Sequence, residues 1–190
     1  MKTNILTILL LLVWALPISA QTYKRYHGDG IDNVLQYVPM ATCYTLKLVG
    51  VEGKNDMKHR LAITLSSMAV NAGVVYALKH TIKRTRPDGT DNHSFPSGHT
   101  SIAFCGAMNL HHEYGKVSPW ISVGGFTVAT IVAVDRIRRN RHHWEDVAAG
   151  AAIGVASAKI GQWIGKKLLP QNDKVDVAIA PNALQLVWKL

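Results

Sequence analysis

Cysteine is scarce in this chain: two occur in 190 residues, Cys43 and Cys105, both in apolar surroundings and with no zinc-type pairing of Cys positions. That excludes a disulfide framework and a cysteine-rich metal module, and leaves two buried free thiols as the expected state. Charge is also sparse, at 17% of residues, and acid is scarcer than base, with 12 Asp+Glu against 21 Lys+Arg for a net +9. With 48% hydrophobic residues the chain is not a disordered one, and its basic balance suits a partner that is anionic. Long apolar runs are missing too. None of the mature segments reaches a clean uncharged stretch of about 20 residues, and the mean hydropathy is only +0.08. The expectation is therefore a compact helical bundle, soluble or resting on a membrane surface, with integral insertion as its rival. No internal repeat or low-complexity block is present, and the length suits one domain with a real core rather than two.

What is there begins at the N-terminus. Lys2 opens a short basic region, Ile5 to Leu16 form an apolar core, and "PISA" ends in Ala20 ahead of polar "QTYKRYHGDG", the pattern of a secretory signal peptide. A retained anchor competes with that reading, but the run is short for a span. The domain expectation is a signal peptide over 1–20, a helical domain over 21–170 and a C-terminal tail or hairpin over 171–190. Export to the periplasm, or to the periplasmic face of the cytoplasmic membrane, makes nucleic acid an unsuitable partner.

Apolar stretches near 34–49, 61–78, 101–109, 120–134 and 147–169, rich in Ala, Gly, Ser and Thr, read as an all-α bundle of about five to six helices. "RPDGTDNHSFPSG" over 86–98 concentrates turn formers and is a loop. Beyond Pro170 the pattern alternates around Pro181-Asn182, a weak signal for a short β-hairpin.

Three polar clusters carry chemistry. "PSGH", Pro96 to His99, opens an apolar helical run, so its backbone N–H groups and helix dipole offer an anion site, with a Ser97 hydroxyl and a Gly98 that admits close approach. The plain alternative is a helix start capped by Ser97. "KHTIKRTRP" sets Lys79 and Arg86 two helical turns apart, on one face if the helix continues to Thr85, where they would grip a phosphate. The alternative is a basic helix end that complements the macrodipole. In "RRNRHHWED", residues 138–146, His142 lies four before Asp146, so on a helix the carboxylate orients its imidazole; His143 has Val147 at the same offset. Arg136 lies upstream and reaches the same anion. A metal centre fits poorly, because adjacent helical histidines diverge and the surrounding arginines oppose a divalent cation.

Lys-x6-Arg-Pro at 79–87, Pro-Ser-Gly-His at 96–99 and Arg-x5-His-x3-Asp at 136–146 together resemble the signature of the type 2 phosphatidic acid phosphatase superfamily, which also includes bacterial class A acid phosphatases and vanadium haloperoxidases. One departure is Asp135, where Ser often precedes the Arg. The resemblance implies an all-helical, metal-free phosphohydrolase without a cofactor. It implies His142 as nucleophile, Asp146 as its orienter and His99 as general acid and base, with Lys79, Arg86, Ser97, Gly98 and Arg136 binding the phosphate. A phosphohistidine intermediate, a bell-shaped pH profile and vanadate inhibition follow from it. The implied substrate is a phosphorylated membrane lipid, lipid A first, with undecaprenyl pyrophosphate, phosphatidylglycerophosphate and phosphatidic acid behind it. The rivals are a soluble broad-specificity acid phosphatase, a vanadium haloperoxidase and a non-catalytic anionic-lipid binder. Arg138, Arg139 and Arg141 are left to meet an anionic membrane surface. His27, His59, His80, His93, His111 and His112 receive no role beyond surface or helix-end placement. Spacing says nothing about oligomeric state.

Overall fold

Proline and short polar side chains set where the helices begin. A computed structural model describes residues 30–169, 175–180 and 183–188. The expected signal segment 1–20, and His27, lie outside the described residues. Among them are six helices: α1 Asp32–Leu35, α2 Val38–Leu48, α3 Met57–Thr81, α4 Gly98–Tyr114, α5 Pro119–Arg138 and α6 Trp144–Leu168. Pro39 and Pro119 occupy first-turn positions of α2 and α5, where a missing N–H costs nothing. Asp56 caps α3 by accepting from the His59 N–H at 2.8 Å. The helical expectation stands, and the C-terminal alternation forms two antiparallel strands, β1 Val175–Ala180 and β2 Ala183–Trp188, with Val175 opposite Trp188.

Helix α4 is the inner element, and α2, α3, α5 and α6 pack around it. Its Ala103 and Ala107 form a fully buried cluster with Ala129 and Val132 of α5. Leu110 and Tyr114 form a second with Cys43 of α2. Packing against α6 is close because α6 offers glycine at the contacts. A Cβ on Gly150 would lie 2.5 Å from the Ser97 carbonyl oxygen, and one on Gly154 2.3 Å from that of Ser101. Gly161 and Gly165 bring the other side of α6 equally close to Ser67 and Ile63 of α3. Cys43 and Cys105 are buried and unpaired.

The outer faces differ from those of a soluble bundle. Leu61, Leu65 and Tyr76 of α3, Val123 and Ile131 of α5, and Ile160 and Trp163 of α6 are exposed. Helices α3, α5 and α6 are each long and apolar enough to cross a membrane. The rival expectation of integral insertion thus gains over the surface-bound one. Whole-chain hydropathy obscured it because the polar residues are concentrated at helix ends and in loops.

The bundle has two distinct ends. The start of α3 meets the ends of α4 and α6, where His59 Nε2 lies 3.1 Å from the Leu169 carbonyl and the Lys54 N–H donates to the Glu113 carbonyl. At the opposite end, the C-termini of α3 and α5 meet the N-termini of α4 and α6, and the chemistry-bearing residues gather there.

Candidate active site

Helix α3 stops at Thr81, before Pro87 can disrupt it, so Arg86 stands in the loop and not on the helix face it was expected to share with Lys79. The two cations still converge, because the loop folds back over the end of α3. Lys79 Nζ donates to the His93 carbonyl at 2.8 Å and the Pro96 carbonyl at 2.7 Å, tying the Pro-Ser-Gly-His turn to α3. Arg86 is aimed by Asp91, which accepts from its Nε at 2.8 Å, while Nη1 donates to the Arg141 carbonyl at 3.0 Å. Nη1 also lies 3.3 Å from His142 Nε2, so that nitrogen carries its lone pair toward the guanidinium.

Ser97 is the residue before α4, and its own N–H donates to the Asp146 carbonyl at 2.9 Å. Its hydroxyl is fully buried and paired with Thr100 Oγ1 at 2.9 Å, so it braces the turn and does not reach out as a ligand would. The N–H groups of Gly98 and His99 belong to the first turn of α4, which has no intrahelical acceptors for them. With the helix dipole they give this turn the positive character that suits an anion.

His142 lies just outside α6 and not on it. His143 is the N-cap: its side chain accepts from the Asp146 N–H, and Asp146 accepts from the His143 N–H at 2.9 Å. The four-residue spacing therefore works through a cap and not through a helical turn. Asp146 is fully buried, with Oδ2 3.7 Å from His142 Nδ1, beyond hydrogen-bond length. Ser94 Oγ stands between them, donating to Asp146 Oδ2 and lying 3.5 Å from His142 Nδ1. Arg84 adds a 3.0 Å ion pair to the other Asp146 oxygen. Burial, reinforced by the Arg86 and Arg136 charges, pushes His142 down to about 4 despite the opposing Asp146 carboxylate. The imidazole is therefore neutral near neutral pH, with the Nε2 lone pair turned toward Arg86.

Arg136 occupies the last turn of α5 and pairs with Asp32, a fully buried carboxylate on α1. Asp32 also accepts from Arg139 Nη1 at 2.6 Å. Burial alone would raise the Asp32 carboxyl, but Arg136, with His99 and Arg139, holds it below the usual carboxylate range. Gly30 is glycine because a Cβ there would sit 1.9 Å from Arg139 Nη1. The neighbouring Asn33 places Oδ1 2.6 Å from His99 Nε2. Burial, then the Arg136 charge, pushes His99 down to about 4.

Every residue named for the site from sequence thus lies at this one end, while several surface assignments change. Arg139 is buried against Asp32, not on a membrane-facing surface, and Arg141 pairs with Asp88 at 2.9 Å. Arg138 pairs with Asp135 at 2.8 Å and stays largely outside. His112, in the last turn of α4, keeps its expected helix-end placement, with Nε2 buried and without a hydrogen-bond partner. Asp32, Asn33, Arg84 and Ser94 carry no spacing signal, because each reaches the site through a tertiary contact. Among the described residues no group of three or more His, Cys, Asp or Glu side chains is arranged to hold a metal. What converges at this end is three cations, Lys79, Arg86 and Arg136, two imidazoles and a helix N-terminus.

Residues 60–168 match the PAP2 superfamily. The chain is 42% identical over 146 residues to the lipid A 1-phosphatase of Porphyromonas gingivalis, covering 74% of this chain and 33% of that protein. It is 34% identical over 91 residues to the probable diacylglycerol pyrophosphate phosphatase 1 of Schizosaccharomyces pombe, covering 42% of this chain and 32% of that one. The chain thus spans about a third of the length of these relatives. In fold it is similar to the crystal structure of Aquifex aeolicus LpxE, with a TM-score of 0.55 at 23% identity, over 69% of this chain and 82% of that one.

Proposed function

The chain belongs to the PAP2 superfamily, and from that premise we propose that it removes phosphate from a membrane lipid through a phosphohistidine formed on His142. The observation that carries this is the position of the site. Cations and paired histidines gather where apolar helices end, the depth at which a lipid presents its headgroup phosphate. In the proposed reaction Lys79, Arg86, Arg136 and the N–H groups at the start of α4 neutralise the phosphoryl oxygens. The lone pair of His142 Nε2 attacks phosphorus in line while His99 protonates the leaving oxygen. His99, now neutral, takes a proton from water as that water displaces His142 and releases inorganic phosphate. No metal or cofactor enters this scheme.

Lipid A is the first candidate substrate, supported by the likeness to a lipid A 1-phosphatase; undecaprenyl pyrophosphate, phosphatidylglycerophosphate and phosphatidic acid follow. A periplasmic-facing site accords with the signal-peptide pattern over 1–20. A cleaved signal peptide over 1–20, a helical domain over 21–170 and a separate tail complete the proposal.

The test is phosphate release from a panel of lipid A, the other lipid phosphates and p-nitrophenyl phosphate, with His142→Ala as the control. Release from lipid substrates, lost in His142→Ala, is expected. Hydrolysis of p-nitrophenyl phosphate alone would point to a soluble-type acid phosphatase, and retained turnover in His142→Ala would remove the nucleophile assignment.

A further inference from the structure

His99 has two ring nitrogens, and the proposed reaction needs one of them to exchange a proton with the leaving oxygen and then with water. Helix α1 bears on which. Asn33 Oδ1 lies 2.6 Å from His99 Nε2. An amide oxygen only accepts, so Nε2 keeps its hydrogen in both charge states of the ring. Nδ1 then alternates between N–H and lone pair.

Asn33 is itself held from both sides. Its N–H donates to the Gly30 carbonyl at 3.1 Å, and its carbonyl accepts from Gln36 Nε2 at 2.9 Å. Its neighbour Asp32, fully buried, is locked by Arg136 and Arg139. A four-residue helix with little packing of its own is thereby anchored to α5 by ion pairs and aimed at α4.

We propose that Asn33 is a positioning residue that sets the His99 tautomer, fixing Nδ1 as the nitrogen that protonates the leaving oxygen and then activates water. The inference rests on the His99 role in the proposed function. As the P–O bond breaks, its electron pair passes to the leaving oxygen, which takes the Nδ1 proton, while the His142 Nε2 lone pair forms the N–P bond. In the second step Nδ1 takes a proton from the attacking water, and the N–P pair returns to His142. The charged and titratable groups that face His99 are Asp32 from α1, Arg136 from α5, and Arg86 and His142 from the two loops.

The experiment compares Asn33→Ala and Asn33→Asp with the parent on two phosphomonoesters, p-nitrophenyl phosphate and dodecyl phosphate. The first has a leaving group that needs little protonation and the second an alkoxide that needs it fully. Asn33→Ala should lose about 30-fold or more in kcat on dodecyl phosphate but only about threefold on p-nitrophenyl phosphate, within the range general acid catalysis supplies. Asn33→Asp, which still accepts from Nε2 and adds a negative charge, should recover most of the dodecyl phosphate rate and move the basic limb of its kcat profile to higher pH. Equal losses on the two substrates, or an unmoved pH limb in Asn33→Asp, would overturn the proposal. Vanadate-induced thermal stabilisation, measured on each variant, reports whether the phosphate site is assembled, and a variant that loses it identifies Asn33 as structural and likewise overturns the idea. If His99→Ala spares dodecyl phosphate turnover in the parent background, it is the general-acid assignment that fails, not the Asn33 contact.

Discussion

His142 and His143 are adjacent in sequence and divided in duty by a single helix boundary. His143 caps α6 and places Nε2 3.2 Å from the Thr85 carbonyl, so its ring has a structural job, while His142 turns Nε2 toward Arg86 Nη1 at 3.3 Å. His142→Ala should lower phosphate release by more than about 10⁴-fold, the scale of removing a covalent nucleophile. His143→Ala should cost about 1 kcal/mol of stability through the lost cap and leave much of the activity. Activity assays and thermal unfolding on both variants check this, and comparable activity losses would contradict the division. The pH profile follows from the same environment. His142 acts neutral, so burial that pushes it down to about 4 keeps it ready at every pH above that and sets the acid limb of kcat/KM near 4. His99 is also pushed down to about 4 and so lacks its proton near neutral pH until a phosphate arrives. A substrate monoanion can bring that proton, and a phosphomonoester loses it around pH 6. kcat/KM for an alkyl phosphate should therefore climb as pH rises through about 4 and decline above about 6. A profile flat from pH 5 to 9 would refute this protonation scheme. That Asp146 lies beside His142 was legible from the four-residue spacing, although the two are brought together by the capping box at His143 and not by a helical turn. Asn33 and Ser94 were not legible, since nothing local in an Asp-Asn or a loop serine announces a histidine 66 or 48 residues away.

Helices α4 and α6 carry the site because they lie unusually close, and the closeness comes from glycine. At Gly161 a Cβ would stand 2.4 Å from the Ser67 backbone, whereas at Gly124 of α5 nothing lies within 4 Å. Gly161→Ala should thus destabilise the bundle by at least 1–3 kcal/mol, roughly the cost of overpacking. Gly124→Ala should be neutral or gain up to about 1 kcal/mol from helix propensity. Thermal unfolding of both in detergent micelles makes the comparison, and equal shifts would mean that α6 does not approach α3 as described. The helices themselves were readable from Ala, Gly and Ser-rich apolar stretches bounded by Pro39, Pro119 and the 86–98 loop. Their ends were less so. Lys79 and Arg86 looked like one helical face, but α3 ends at Thr81, and it is the loop carbonyls of His93 and Pro96 on Lys79 that bring the two cations together. Periodicity describes a helix interior and not how a returning loop closes over its end.

For the whole molecule, the decisive fact is that apolar faces point outward on three long helices while the charged residues collect at the two ends. Composition averages over both regions, which is why the mean hydropathy of +0.08 favours a surface-bound bundle and the arrangement favours insertion. An inserted bundle has a direction. With α3, α5 and α6 crossing and α4 running between the same two ends, the loop holding Arg86 and Ser94 faces one side and the lysine-rich end faces the other. In the orientation proposed above, the site end faces the periplasm and the lysine-rich end the cytoplasm. Two exposed positions test this, Asn92 in the site loop and Lys116 between α4 and α5. Native Cys43 and Cys105 are buried and suited to a silent background. In intact cells Asn92→Cys should react with a membrane-impermeant maleimide and Lys116→Cys should react only after the inner membrane is permeabilised. The reverse pattern would put the site on the cytoplasmic side, and with it a different pool of lipid phosphates; labelling of both in intact cells would mean that α4 does not cross. Since the reaction centre lies at the helix ends, the side that carries Asn92 is also the leaflet from which substrate must come.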